Sequence, residues 1–484
     1  MSKPTIRTRF APSPTGLMHL GNVRAALMNY LFAQQTDGSF IVRIEDTDQT
    51  RNFDPGAKQI LTDLAWLQLS FDEGPGKPAA HKDYGSYFQS ERTALYNEKL
   101  QFLQKNESIY RCFCTQEELE KKRLRQIALK QPPRYDRACL KLSPSEIAAK
   151  VAAQTPFIWR MKLNQQQSVT ITDLGHGPTT FDFNNFSDFP LTRQDGSVTF
   201  MFANCVDDIA MEITHIFRGN DHLSNTAGQV ALYMAFEIPL PVYWHLPMIC
   251  NIEGKKLSKR DFGFSLNDLR NSGFLPEAIC NYLAIIGGGS FINEIMTQKE
   301  LIQSVHFDTI HSSSFIRYDV EKLRWINHKW IAQYPHEELT ALARPFLEKQ
   351  FPAIANMDDA TLTPLIQTIK TDIHTLDEID NEIAFYFTPP TVTHADLEAI
   401  IPNEHLTKIL ALLKQNIEPM TDITLCLNNL KAAAKEQQLP MKLLFSALRL
   451  ILTGKPNGIG IQELIQMLGI KETKKRFNLL TSNG

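Results

Sequence analysis

Two separated segments carry residues suited to binding a phosphorylated ligand. The first, APSPTG followed by His19-Leu20-Gly21-Asn22, passes from a turn rich in proline and glycine into an amphipathic pattern. A helix N-terminus offers unpaired N–H groups and a partial positive charge that attract phosphate, and a glycine lets the ligand approach. On these residues alone, a tight turn with an incidental histidine is an equally good interpretation.

The second segment, EGKKLSKR, holds Lys255, Lys256, Lys259 and Arg260 after a predicted strand. Lysines at this density suit the neutralisation of charge during phosphoryl or nucleotidyl transfer. The alternative is a solvated basic loop. The sequence has neither the P-loop nor the dinucleotide glycine pattern, so a bound nucleotide would be held in another way.

The elements around the first segment alternate between strand and helix patterns. TIRTRFA and SFIVRIED are typical of short strands, and apolar residues recur at helical spacing between Leu20 and Leu31. This order predicts a parallel sheet with crossover helices, in which ligands bind where the first strand ends. The pattern is looser from about Ser90 to Ser197, which indicates an insertion, and it is helical throughout after about Lys322.

Composition narrows the class of protein. The 484 residues predict two or three domains, and the net charge of −3 argues against a wholly basic coat for nucleic acid while allowing local basic patches. The start has no apolar signal region, and no run of about eighteen apolar residues predicts a membrane span. The seven scattered cysteines favour a reducing cytoplasm. We therefore expect a cytoplasmic enzyme or binding protein.

Six ordered blocks between Thr8 and about Ile331 resemble the bacterial glutamyl-tRNA synthetases, a family of class I aminoacyl-tRNA synthetases. They are TRFAPSPTGLMHLGN, FIVRIEDTDQTR, FANCVDDIAMEITHIFRGNDHLSNT, KLSKR, GFLPEAICNYLA and DVEKLRWINHKWI. The resemblance decides against an incidental histidine and a merely solvated lysine loop. It implies an α/β Rossmann-like class I synthetase catalytic domain with an inserted acceptor-end domain, followed by an all-α anticodon-binding domain.

The expected boundaries combine this resemblance with the periodicity. Residues 1–90 and 196–250 form the Rossmann-like domain, and residues 91–195 form the inserted acceptor-binding domain. Residues 251–325 form a lysine-loop and stem-contact region, and residues 326–484 form the all-α domain.

The resemblance implies that L-glutamate is activated with ATP and Mg²⁺ and then transferred to the 3′ end of tRNA-Glu, with tRNA-Gln as a further candidate. The substrate's own carboxylate attacks, so no protein nucleophile is expected. The implied catalytic residues are His19, Lys256 and Lys259. The implied ATP-binding residues are His19, Gly21, Asn22, His222, Lys256 and Lys259. Asn22 stands where the signature motif has histidine, so we assign it a supporting role.

The implied glutamate-binding residues are Arg9, Ser13, Glu45, Phe200, Asn204 and Arg218. Arg9 and Arg218 would bind carboxylates, Glu45 would accept from the ammonium group, and Asn204 would complete the pocket. Many relatives carry tyrosine where this chain has Phe200, so one hydroxyl contact is missing here.

Cys112, Cys114, Tyr135 and Cys139 match a structural zinc site of some relatives. Closed zinc sites usually have four Cys or His ligands, and a tyrosinate ligand is uncommon. Other relatives place a histidine where this chain has Lys141. Bound zinc and three free cysteines both remain open.

Neighbouring families fit less well. A stand-alone glutamyl-queuosine synthetase would lack the C-terminal third, and a glutaminyl-tRNA synthetase would end in β-barrels. The alternatives that remain are a non-catalytic tRNA-binding or regulatory relative and a paralogue specialised for tRNA-Gln. We expect a monomer with no membrane partner.

Overall fold

The computed structural model describes residues 5–258, 260–286, 293–307 and 315–482. The chain divides into two compact units, one of residues 1–269 and 279–320 and the other of residues 270–278 and 321–484. No helix among the described residues is both long and apolar enough to cross a lipid bilayer.

The strands of the described part are short. They are β1 (Arg7–Phe10), β2 (Ser39–Val42), β3 (Ile109–Cys112), β4 (Ile158–Met161), β5 (Ser168–Asp173), β6 (Gly177–Asp182), β7 (His215–Gly219), β8 (Val242–Leu246), β9 (Met248–Cys250) and β10 (Phe315–Arg317).

The α-helices up to residue 333 are α1 (Leu20–Gln35), α2 (Lys58–Trp66), α3 (Thr93–Lys105), α4 (Gln116–Ala128), α5 (Pro144–Ala152), α6 (Phe200–Ala210), α7 (Leu223–Ala235), α8 (Leu266–Asn271), α9 (Pro276–Ile285), α10 (Gln298–Ser304) and α11 (Val320–Gln333). Those that follow are α12 (His336–Gln350), α13 (Asp359–Ile369), α14 (Ile379–Phe387), α15 (His394–Glu398), α16 (Asn403–Ile417), α17 (Ile423–Glu436), α18 (Met441–Thr453) and α19 (Ile461–Ser482).

A six-stranded sheet of order β2-β1-β7-β8-β5-β6 organises the first unit. Its first five strands pair in parallel, and β6 pairs antiparallel with β5. The predicted parallel sheet is thus confirmed. Strands β5 and β6 belong to this sheet although their residues lie within the predicted insertion 91–195, because Asp173 at the end of β5 pairs with Tyr243 of β8. Strands β3 and β4 form a separate antiparallel pair.

Helix α1 packs its apolar face on the unit's core. Leu20, Val23, Leu27 and Leu31, which the helical spacing predicted, are each at most 1 % exposed. Strand β1 leads through α1 to β2 on one side, and β7 leads through α7 to β8 on the other. The carboxyl ends of β1 and β7 therefore meet where the strand order reverses, which is where open α/β sheets bind ligands.

The second unit is helical, as the three- and four-residue apolar spacing predicted. Its apolar core collects leucines and isoleucines from successive helices, including Ile409, Leu413, Leu430, Leu448 and Leu464, all fully buried.

Candidate active site

A cleft of about 480 Å³ opens at the carboxyl ends of β1 and β7. This volume suits a small molecule or nucleotide. Eleven of the residues that the sequence analysis singled out line it: Arg9, Ser13, His19, Gly21, Asn22, Glu45, Phe200, Asn204, Arg218, His222 and Lys256. Lys259 lies outside the described residues.

The two segments predicted to bind phosphate meet at this cleft. The backbone N–H of Leu20 donates to the carbonyl of Phe264 (3.1 Å), and that of Leu266 donates to the carbonyl of Met18 (2.9 Å). The ring of His19 stacks on Phe264, with 5.3 Å between the ring centres. The chain that follows the lysines is therefore bound to the start of α1, although about 240 residues separate them.

His19 caps helix α1. Its Nδ1 accepts the backbone N–H of Asn22 (3.3 Å), and its own backbone N–H donates to Oδ1 of Asn22 (3.2 Å). Burial and the nearby Lys256 lower the pKa of His19. The ring is therefore neutral at pH 7, with its proton on Nε2. Asn22 is thus bound to His19 in two places, and its supporting role in ATP binding stays a prediction.

Lys256 and His222 both line the cleft, and Asp221 is next to each of them. Nζ of Lys256 is 3.0 Å from Oδ2 of Asp221, and both side chains are about half exposed or more. Burial and the charge of Arg218 lower the pKa of His222 to about 4, so this ring is also neutral. It packs 5.9 Å from the ring of Phe200, which has no hydroxyl to offer.

A buried ion network holds Arg9 and Glu45. Nε of Arg9 is 3.2 Å from Oδ1 of Asp208, and Nη1 of Arg43 is 2.6 Å from the same oxygen. Nη2 of Arg43 is 3.1 Å from Oε1 of Glu45. Burial alone would raise the pKa of Asp208, but Arg43 and Arg9 outweigh it and lower that pKa. Two carboxylates thus fix two guanidinium groups beside the cleft.

Asn204 completes this network. Its Nδ2 donates to Oε1 of Glu45 (2.5 Å), and its Oδ1 accepts from Nε2 of Gln229 (2.6 Å). Burial raises the pKa of Glu45 even though Arg43 and Asn204 act in the opposite direction. A cationic group of a ligand would therefore find a favourable partner in Glu45.

Cys112, Cys114 and Cys139 form a separate cluster, and their sulfur atoms lie within 4.8 Å of one another. The hydroxyl of Tyr135 is 3.3 Å from Sγ of Cys112 and 3.6 Å from Sγ of Cys114. Ligands of a tetrahedral zinc ion with bonds of about 2.0–2.3 Å lie ~3.3–3.8 Å apart. The two contacts of Tyr135 and the 3.5 Å between the sulfur atoms of Cys114 and Cys139 have this spacing, so the cluster is compatible with a zinc site.

The groups behind the cleft were not predicted from the sequence. Asp208 and Arg43 hold the predicted Arg9 and Glu45, and His245 and Thr226 accept from Arg218. A signal for them exists, since Arg43 interrupts the apolar strand SFIV-R-I and Asp208 stands in the apolar helix FANCVDDIA. A charge in such a setting indicates a buried pair.

Comparisons with known proteins find the same family along almost the whole chain. The family model described as tRNA synthetases class I (E and Q), catalytic domain, matches residues 5–325, and the Anticodon binding domain model matches residues 338–480. A glutamate–tRNA ligase of Clostridioides difficile is 35% identical over 99% of both chains. One from Sulfurihydrogenibium sp. is 36% identical over 97% of this chain and 98% of that one.

A solved structure agrees as well. The crystal structure of a glutamate tRNA ligase from Elizabethkingia meningosepticum, in complex with its amino acid, matches with a TM-score of 0.87 and 30% identity over 98% of each chain. The chain belongs to the glutamate–tRNA ligase family of the class I tRNA synthetases.

Proposed function

We propose that this chain joins L-glutamate to the 3′ end of tRNA-Glu, and that the cleft at β1 and β7 carries out the activation with ATP. One observation carries the proposal. The His19 segment and the Lys256 segment line the same cleft as Arg9, Arg218 and Glu45. Groups that suit phosphates thus stand beside groups that suit two carboxylates and an ammonium.

Glutamate would be bound by charge. Arg9 and Arg218 supply the cations for its carboxylates, and Glu45 accepts from its ammonium group. Asn204 orients Glu45, and Ser13, exposed at the rim, adds a hydroxyl or backbone contact. Phe200 supplies apolar contact only.

ATP would lie on the N-terminus of α1. His19, Gly21 and Asn22 form that end of the helix, His222 packs near the adenine, and Lys256 and Lys259 neutralise the phosphates. Mg²⁺, when bound with ATP, neutralises phosphate charge as well. The assignment of Lys259 rests on the sequence motif.

The chemistry needs orientation and charge neutralisation. An oxygen of the glutamate α-carboxylate forms a bond to the α-phosphorus, and the bond from that phosphorus to the bridging oxygen breaks, so pyrophosphate leaves. A hydroxyl of the terminal adenosine of tRNA then attacks the glutamyl carbonyl, and AMP leaves. The side chains hold the reactants and their charges in place.

Cys112, Cys114, Tyr135 and Cys139 would hold a structural zinc ion, since their spacing suits a closed four-ligand site. Helix α4 lies between Cys114 and Tyr135 of this cluster and has no buried residue, so its basic side chains are at the surface, where tRNA phosphates could contact them. We also propose a monomer in the cytoplasm.

Charging tests the activity. We expect purified protein to attach labelled glutamate to a tRNA-Glu transcript, and a tRNA-Gln transcript assayed in parallel shows whether that tRNA is charged as well. Charging of tRNA-Gln would make the enzyme non-discriminating or specialised, and charging of neither would refute the function.

Substitutions separate an enzyme from a non-catalytic tRNA-binding relative. Lys256→Ala and Lys259→Ala should abolish glutamate-dependent pyrophosphate exchange while tRNA binding persists. Lys255→Ala is the matched control, because Lys255 is 76 % exposed and pairs with Glu253. Unchanged exchange in Lys256→Ala and Lys259→Ala would refute the proposed mechanism.

A further inference from the structure

Arg218 is held from behind by buried groups that have no assigned role. It lies on β7 and is 7% exposed. Its Nε donates to Nε2 of His245 (3.4 Å), and its Nη2 donates to Oγ1 of Thr226 (2.8 Å). Within the described ranges its Nη1 has no hydrogen bond, so one corner of the guanidinium remains for a ligand in the cleft that Arg218 lines.

His245 is itself fixed by a carboxylate one strand further along the sheet. It lies on β8, 1% exposed, and its Nδ1 is 2.5 Å from Oδ2 of Asp173 at the end of β5. Oδ1 of Asp173 accepts the backbone N–H groups of Gly175 and His176, each at 2.9 Å. Its Oδ2 also accepts the backbone N–H of His245 (3.3 Å). The carboxylate is therefore anchored by four donors.

This arrangement admits one tautomer of His245. A guanidinium has only donors, so Nε2 of His245 must be the acceptor for Arg218 and the ring proton must sit on Nδ1. Asp173, which has only acceptors when ionised, takes that proton in a hydrogen bond. Thr226 accepts from Arg218, and its own hydroxyl hydrogen can be donated to Nε2 of His245 (2.9 Å) or to the backbone carbonyl of His222 (3.3 Å).

The electrostatics agree with this assignment. Burial lowers the pKa of His245, and the charge of Arg218 lowers it further, against the raising effect of Asp173. Burial would raise the pKa of Asp173, but the hydrogen bonds from His245 and the backbone outweigh it. A neutral imidazole next to an ionised carboxylate is the state that both directions favour.

We propose that Asp173 and His245 are positioning residues for Arg218. Asp173 holds His245 as a neutral acceptor, and His245 in turn orients Arg218 toward the carboxylate of glutamate. This inference rests on the proposed assignment of Arg218 to glutamate. It extends the glutamate site across three adjacent strands, from β7 through β8 to β5.

Asp173→Asn tests the tautomer directly. Oδ1 at residue 173 faces two backbone N–H groups, so the amide oxygen takes that place and the NH₂ group faces Nδ1 of His245. The ring must then carry its proton on Nε2. That N–H group faces the Nε–H group of Arg218, so two donors meet and their hydrogen bond is lost. We expect the KM for glutamate in pyrophosphate exchange to rise about tenfold, with the KM for ATP unchanged. Asp182→Asn, an exposed carboxylate on β6, is the matched control.

Two substitutions at His245 distinguish positioning from packing. Glutamine places its amide oxygen near the position of Nε2, so His245→Gln should keep the KM for glutamate within about threefold of the parent. Asparagine reaches only the position of Nδ1, so His245→Asn should raise this KM like Asp173→Asn. In the His245→Gln background the further change Asp173→Asn should have no effect, since no tautomer remains to be set.

The outcomes separate this inference from the proposed function. An Arg218→Ala variant that loses glutamate affinity, alongside folded Asp173→Asn and His245→Asn variants that keep it, overturns the positioning role and leaves the function standing. An Arg218→Ala variant that keeps its glutamate affinity overturns the assignment of Arg218 to glutamate and, with it, this inference, while the charging assay still decides the function. If His245→Asn fails to fold, the positioning role can still be tested. The effect of Asp173→Asn on the KM for glutamate is then compared between the parent and the His245→Gln variant.

Discussion

A Cβ atom added at Gly21 would lie 3.0 Å from Nδ1 of His19, the atom that accepts the backbone N–H of Asn22. The absence of a side chain at residue 21 therefore lets the histidine ring fold over the first turn of α1. Gly21 therefore makes room for the ring of His19, in addition to the role in ATP binding that we propose for it.

Gly21→Ala should weaken ATP binding without destabilising the protein. The added methyl group displaces the ring of His19, while alanine favours the helix. We expect the KM for ATP in pyrophosphate exchange to rise about tenfold and the melting temperature to hold or increase slightly. Gly16→Ala in the same turn is the control, because a Cβ there meets no atom within 4 Å. Equal ATP kinetics for the two variants would contradict this role of Gly21.

Phe200→Tyr should strengthen glutamate binding. Phe200 lines the cleft without a hydroxyl group, and a hydrogen bond to a charged group contributes about 1.5–3 kcal/mol. We expect the KM for glutamate to fall about tenfold in steady-state activation, with the KM for ATP unchanged. Phe53→Tyr, at a site 64% exposed, controls for the added hydroxyl. A higher KM for glutamate would mean that the cleft is too tight for the extra oxygen.

The sequence predicted the sheet and the helical unit because both depend on local periodicity. The start of α1 at Leu20, capped by His19, and the buried positions Val23 and Leu27 agree with the helical spacing. The position of β5 and β6 was less accessible, since the pairing of Asp173 with Tyr243 joins residues 70 apart in the sequence. Such long-range pairing leaves little trace in local patterns.

The residues that line the cleft were predictable where they belong to a recognisable motif. The residues behind them were not predicted. Arg9 and Arg218 stand in recognisable blocks, whereas His245 has no such signal. The charge of Asp208 in an apolar helix indicates that it is buried, but its pairing with Arg9 becomes evident only in three dimensions, because the two residues are 199 apart in the sequence.

Cys139→Ser should release zinc and destabilise the cluster. Burial raises the pKa of Cys114 to about 12, so without a metal the cluster keeps that thiol protonated. We expect about one zinc per chain in the parent by elemental analysis, little in Cys139→Ser, and a lower melting temperature for the variant. Cys426→Ser, a buried cysteine of the helical unit, is the control. A parent protein purified with zinc in the medium yet free of the metal would contradict the site.

Acid should destabilise the protein at pH values well above those at which ordinary carboxylates titrate. The pKa values of His215 and His222 are lowered to about 4 from 6.5, in both cases chiefly by burial. Between those pH values the unfolded chain binds protons that the folded chain does not, so stability falls as pH falls from 6.5 toward 4. Glu45 and Asp377, whose pKa values are raised chiefly by burial, act in the opposite direction.

The expected loss at pH 5.5 is on the order of 1 kcal/mol for each of these histidines. Urea unfolding followed by circular dichroism between pH 7.5 and 5 measures it, for as long as the transition is two-state. His215→Gln removes one titrating ring. The free energy of unfolding of this variant should depend less steeply on pH, whether or not its value at pH 7.5 changes. His81→Gln, at an exposed site, should leave the slope unchanged. A parent slope that His215→Gln does not alter would place the acid sensitivity in other groups.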